Sequence, residues 1–138
     1  LLQTYKERLG IELEGVIVGP AEFQKAVRGG KAPLFVARWG ADYPDPSNFF
    51  EVFGAANGTN YTGWKNDEYD RYLSDARTNL DPQARLASYA AAERVLLQRE
   101  VAILPLFYRR NIALLGPRVD KFSISPLNYL FLKKVRLK

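Results

Sequence analysis

Two aspartates three residues apart, Asp42 and Asp45, stand in the stretch RWGADYPDP (38–46) among two prolines, a tryptophan and a tyrosine. Such a pair offers three kinds of chemistry: acid–base work by paired carboxylates, a seat for a cationic ligand, or the fastening of a turn. Asp45 has a local explanation. It precedes Pro46 and the amphipathic turn SNFFEVF, the pattern of a helix N-cap with proline at the first helical position. Asp42 lacks one. It lies two residues before Pro44, which disfavours helix at Tyr43, so it is not placed to cap that turn. It also follows the apolar run APLFVARW, and in open α/β sheets ligands bind beyond the carboxyl ends of strands. Trp39 and Tyr43 flank it and offer an apolar wall with polar tips. From the residues alone Asp42 is either a ligand contact or a turn residue; as a contact, a lone carboxylate suits an amine or a guanidinium.

Composition removes many other chemistries. The 138 residues include no cysteine and no histidine, so disulfides, thiolate nucleophiles, imidazole metal sites and histidine-dependent triads cannot be built from this chain. No metal or other cofactor is expected. A carboxylate-based hydrolase would need two acids about 5–9.5 Å apart, and with Asp45 used as a cap it remains a remote alternative. The net charge of +5 permits anionic partners without requiring them. No RNP, helix-turn-helix or zinc pattern is present, and GGKA (29–32) fails the phosphate-loop pattern because Lys25 and Ala32 stand where Gly and Ser or Thr are needed. A nucleic-acid module is therefore equally remote. The chain opens Leu-Leu-Gln and contains no methionine, which leads us to expect an excised piece or a processed product. No run approaches the roughly 18 apolar residues of a membrane span.

The elements that would position Asp42 read as a mixed α and β order. A helical stub, LLQTYKERLG, ends at Gly10; IELEGVIV alternates as a strand; Pro20 opens a short helix closed by Gly29 and Gly30; and APLFVARW reads as a strand buried on both faces. Strand, helix and strand of these lengths predict a βαβ unit with parallel pairing. Two helices follow: one capped by Asn66 with Tyr69, Leu73 and Ala76 on one face, and one capped by Asp81 with Pro82 at its first position. VAILPLFY and NIALLG read as buried extended segments, and LKKVRLK as an edge strand with a solvated face. One unit over 1–138 is expected.

Glu93 is an oddity in the second helix. At about 100° per residue it shares an arc with Leu86, Tyr89, Ala90 and Leu97, where a carboxylate is costly unless paired. A ligand-facing acid and a structural acid bonded to a nearby Arg or to backbone amides both account for it, and we take the structural reading.

The string WGADYPDPSNFF (39–50) resembles the extracellular solute-binding proteins of family 5, which serve ABC importers of oligopeptides and dipeptides. NYTGWKNDEYD is similar to the family's Asn-Tyr…Asn-x-x-Tyr-Asp segment, and so are R-x-x-x-Y-x-x-A-E-x-x-L from Arg85 to Leu96 and then AILPLFY. Order and spacing agree over residues 33–138. The resemblance implies the C-terminal lobe of a type II periplasmic-binding-protein-like fold, a mixed sheet flanked by helices. This lobe would be incomplete without the N-terminal lobe of the same polypeptide, with residues from about 105 to 138 returning toward it. It implies a two-lobed clamshell, not an enzyme, that captures peptides and delivers them to the membrane subunits of a permease. The protein would work in the periplasm or outside the cell, free or lipid-anchored. Residue by residue, Asp42 would receive the peptide α-amino group, Trp39 would line the same cleft, and Glu93 would be a family trait. A binding protein of the same family for a non-peptide solute, such as a sugar or a nickel complex, is the runner-up.

Overall fold

A computed structural model describes residues 1–127 and 129–138, which form two compact units, Leu1–Val36 and Ala37–Lys138. Each is treated by itself, where the sequence led us to expect one.

In the first unit, helix α1 (Leu2–Leu9) stops at Gly10, whose left-handed φ of 67° lets its N–H reach back to the carbonyl of Lys6. Helix α2 (Pro20–Arg28) starts with proline at its first position, where the missing N–H has no helical partner to lose. It buries Val27, and Phe23 meets Phe35 edge-on at 5.9 Å.

The core of the second unit is a helical hairpin. Helix α4 (Asp67–Thr78) and helix α5 (Pro82–Arg94) are joined by a three-residue turn, and both caps lie in it or before it. Asn66 Oδ1 accepts the N–H of Tyr69 at 2.9 Å, and Asp81 Oδ1 accepts that of Gln83 at 3.0 Å. The faces that meet carry Tyr69, Leu73 and Ala76 from α4 and Tyr89 and Ala92 from α5, followed by Val95 and Leu96. All seven are buried, and each large one contributes on the order of 1.5–3 kcal/mol of apolar burial.

Helix α5 runs into a π-helical turn, Val95–Arg99, closed by Glu100 N–H to Val95 O at 3.0 Å. The burial of α5 corrects the reading of Glu93. The buried side of α5 holds Tyr89 and Ala92 with Arg85 and Ser88 at its margin, whereas Leu86, Ala90 and Glu93 are exposed. The arc through Leu86, Ala90 and Glu93 lies in regular α-helix before the π-turn, and it is the side that the core does not cover. Glu93 faces solvent. No hydrogen bond or ion pair among the described residues engages it, so it is not the buried structural acid expected.

The extended segments also depart from expectation. Residues 11–18 and 32–39 form neither helix nor strand, with a bend at 33–34, so the expected parallel βαβ pairing is not formed among the described residues. Ile17 is fully exposed, and Leu34 and Val36 are more than half exposed. Residues 101–115 follow the same pattern, with Tyr108 and Leu114 in solvent. A strand is stable only where a neighbour satisfies its N–H and C=O groups, and no described segment pairs with these stretches. The sheet that does form is small. Strand β1 (Val119–Lys121) pairs antiparallel with strand β2 (Arg136–Leu137), Val119 opposite Leu137. The basic tail is thus strand only in its last residues, after a 3₁₀ turn at Leu132–Lys134.

Beyond the π-turn, Ala102 N–H reaches Leu96 O at 3.0 Å while Val101 takes a φ of +47°. That is the left-handed helix-ending position that glycine fills best and a β-branched residue fills worst. Val101→Gly in the intact polypeptide is expected to raise stability by about 1 kcal/mol, read as a higher urea midpoint with an unchanged slope.

Candidate functional site

The loop that carries Asp42 is built on the helical hairpin. Helix α3 (Ser47–Phe50) opens one residue later than the Asp45 cap position suggested, with Asp45 supplying both ends of the turn before it. Its Oδ1 accepts the N–H of Ser47 at 2.9 Å, and its carbonyl accepts that of Asn48 at 3.2 Å.

Asp45 also has a long-range partner. Arg85 grips its carboxylate with a two-pronged fork, Nη2 to Oδ1 at 2.7 Å and Nη1 to Oδ2 at 2.9 Å. Arg85 Nε donates to the carbonyl of Ala76 at 3.1 Å, and Nη2 also donates to the Tyr89 hydroxyl at 3.1 Å. The guanidinium carbon lies 5.1 Å from the centre of the Tyr89 ring. One side chain of α5 thereby joins the loop, the last turns of α4 and the core. The hydrogen bonds from Arg85, and then from Ser47, hold the Asp45 carboxyl well below the usual carboxylate range. A carboxylate so occupied is a poor general acid or base, so Asp42 and Asp45 do not form the paired-acid arrangement of a glycoside hydrolase.

Further contacts fix the rest of the loop. Tyr69, buried at the core, gives its hydroxyl to Phe50 O at 2.7 Å, and burial pushes its pKa up. Asp70 Oδ1 accepts the N–H of Ala55 at 3.2 Å. Asn60 Nδ2 lies within 3.4 Å of three carbonyls, those of Phe53, Gly54 and Trp64. Phe50 stacks on Tyr89, and Trp64 meets Tyr69 edge-on, each with ring centres 5.0 Å apart.

Asp42 itself is exposed. Its backbone N–H donates to Asn48 Oδ1 at 3.2 Å, while no hydrogen bond or ion pair among the described residues engages its carboxylate. Trp39 and Tyr43 stand beside it in the chain, each 43% exposed, so that much of both rings is free for contact. Trp39 Nε1 donates to Asn48 Oδ1 at 3.0 Å, and the Tyr43 hydroxyl lies 3.2 Å from Ser47 Oγ. The geometry therefore holds Trp39 and Asp42 on one side chain, Asn48, while Tyr43 is tied to the same short helix through Ser47. Sequence reasoning did not single out Asn48, Arg85 or Tyr89 as parts of this assembly. Arg85 and Tyr89 had a signal in their i, i+4 spacing within the R-x-x-x-Y motif; the partner 40 residues away had none. Among the described residues no three acids gather around a common point where a cation could be held.

The arrangement is a rigid, aromatic-flanked loop that presents one uncommitted carboxylate. A dipeptide-binding protein, DppE of Bacillus subtilis, is 28% identical over 131 residues, which are 95% of this chain and 24% of that one. A probable deoxycholate-binding periplasmic protein, YgiS of Escherichia coli, is 30% identical over 100% of this chain and 26% of its own. The crystal structure of Haemophilus influenzae OppA in complex with RPPGFSPFR superposes on 99% of the chain with a TM-score of 0.87 at 24% identity, covering 27% of that protein. The chain is similar to family 5 solute-binding proteins, of which these relatives are members. Its fold is that of part of a periplasmic-binding-protein-like protein. It spans about a quarter of the length of the curated relatives it matches. No family model matches the chain. In this chain the W-G-A-D-Y-P-D-P and R-x-x-x-Y segments are the two halves of one fastening, Asp45 to Arg85.

The fork sets the acid stability of the site. Asp45 ionises at lower pH when folded than when unfolded, near 3.9, so its contribution is complete above about pH 5. It is lost as the pH falls through the folded value. Both side chains are about 30% exposed, which keeps the contribution modest. Arg85→Met is expected to cost about 1–2 kcal/mol at pH 7 and distinctly less at pH 3, measured by urea melts at the two values.

Proposed function

We propose that this chain is part of a two-lobed binding protein that captures peptides and passes them to the membrane subunits of an ABC permease. The observation that carries this reading is the free carboxylate of Asp42, exposed and unengaged among the described residues while its backbone N–H is held by Asn48. An α-ammonium group meeting that carboxylate in a closed, water-poor cleft makes a charge-assisted hydrogen bond, stronger than its exposed equivalent. Trp39 and Tyr43 supply ring surface for the first residue of the ligand, and Arg85 holds the loop in place through Asp45. Main-chain bonding to an extended ligand would tolerate many side chains.

The exposed apolar side chains in segments 11–18, 32–39 and 101–115, among them Ile17, Val36, Tyr108 and Leu114, support the two-lobed part of the reading. In our reading residues from about 105 to 138 return toward the other lobe. The names of relatives, several of them periplasmic binding proteins, support a periplasmic setting. The probable deoxycholate-binding relative raises a second ligand class, but a bile acid is itself anionic and would meet like charge at Asp42. Catalysis is no part of this reading.

Asp42→Asn in the intact two-lobed protein is expected to weaken binding of a peptide with a free amino terminus by about 1.5–3 kcal/mol, and N-acetylation of the peptide should have a similar effect on the wild type. Titration calorimetry that finds wild-type affinity in the variant removes Asp42 from the site. The isolated chain, lacking half of the cleft, should bind the same peptide far more weakly; micromolar affinity there would contradict the two-lobe reading.

A further inference from the structure

Asn48 is the one buried polar residue among the described residues, 7% exposed, and it sits directly behind the loop that carries Asp42. Two donors converge on a single atom of its side chain: Trp39 Nε1–H at 3.0 Å and the Asp42 backbone N–H at 3.2 Å. Only an oxygen can accept twice, so the side-chain amide is oriented unambiguously, and both lone pairs of Oδ1 are used. Neither bond contributes to the helix that Asn48 belongs to, since the donors lie nine and six residues upstream. A buried acceptor shared by an aromatic ring and the backbone of an acidic residue fixes two things. It sets the rotation of the indole, which would otherwise be free at a half-exposed position, and it sets the direction in which the Asp42 carboxylate leaves the chain.

We propose that Asn48 is the positioning residue of the ligand site, acting through Trp39 and Asp42 and not by touching the ligand. Its carbonyl oxygen spends the ring N–H and the main-chain N–H internally. Trp39 therefore offers the ligand its indole face and not its N–H, beside the Tyr43 ring and the Asp42 carboxylate, which selects for a cationic head carrying an apolar group. The inference rests on the peptide-capture reading for the identity of the ligand; its claim about Trp39 does not.

The test uses the intact two-lobed protein with Trp64→Phe as background, which leaves Trp39 the sole tryptophan of this chain. Any tryptophan elsewhere in the polypeptide is replaced by phenylalanine as well. Asn48→Leu removes the shared acceptor at similar volume, and Asn48→Asp retains it. The readouts are the fluorescence anisotropy decay of Trp39 without ligand and the Kd for trialanine and for N-acetyl-trialanine. In Asn48→Leu, Trp39 is expected to gain a fast depolarising motion and trialanine affinity to fall about tenfold, with the acetylated peptide changing little. Asn48→Asp should restore the slow decay and most of the affinity, a rescue that a general loss of stability would not give. Unchanged Trp39 motion in Asn48→Leu, or loosened motion with wild-type affinity, overturns the proposal. If Asn48→Leu does not fold, Trp39→Phe removes the donor from the other end while keeping a ring; it should cost several-fold in trialanine affinity, and wild-type affinity there overturns the proposal too. Asp42→Asn separates the two readings. Wild-type binding in that variant together with loss in Asn48→Leu sinks the role of Asp42 and leaves Asn48 acting through Trp39, whereas wild-type binding in both sinks both.

Discussion

The grip of Arg85 on Asp45 is the constraint on which the rest of the second unit's candidate site depends. A loop rich in proline and aromatics, with little regular structure of its own, cannot hold a carboxylate at a defined point. Here the loop borrows the rigidity of a helical hairpin. The guanidinium reaches it with two parallel bonds while its third nitrogen closes on a carbonyl of α4 and its plane lies near a buried tyrosine. Arginine suits this role where lysine would not, because the planar fork satisfies the carboxylate, a backbone oxygen and a hydroxyl at once. The ion pair is only partly shielded from water, so its value lies more in direction than in energy.

Around that fork, many polar residues of the motifs are already spent, while in the opening motif one acid is not. Asn60, Asn66, Asp70, Tyr69 and Asp45 each close a specific backbone group or neighbour within the unit. Asp42 alone among the acids of the opening motif keeps its carboxylate unengaged. Binding proteins built on main-chain capture need this division, since a residue that must meet a ligand cannot also hold its own loop together. Asn48 does the holding on its behalf.

Much of this was legible in the sequence where the physics is local. The caps at Asn66 and Asp81, the glycine stop at Gly10 and the proline starts at Pro20 and Pro82 depend on neighbours within a turn, and residue type reveals them. Glu93 was misread because periodicity shows which residues share a side of a helix but not which side a neighbour covers, and Leu86 and Ala90 on its arc are themselves exposed. The strands over 11–18 and 32–39 were read from alternation and from apolar content, but a strand exists only with a partner, which pattern cannot supply. Asn48 escaped notice because its two donors come from a bend in the chain, not from a helix or strand period. The long-range partner of Asp45 was hidden for the same reason: nothing near position 45 announces a residue at 85.

Asn60 shows how a fold can close a chemistry that the letters offer. Asn60-Tyr61-Thr62 has the form of an acceptor for oligosaccharide attachment, which proceeds through the amide nitrogen. That nitrogen is shared among three carbonyls of its own loop, and Thr62 donates its hydroxyl to the same amide's oxygen at 2.6 Å. A transferase would have to pull the loop apart before reaching it. The folded chain therefore carries the tripeptide as a knot in its backbone, closed to sugar for as long as the loop stays tied.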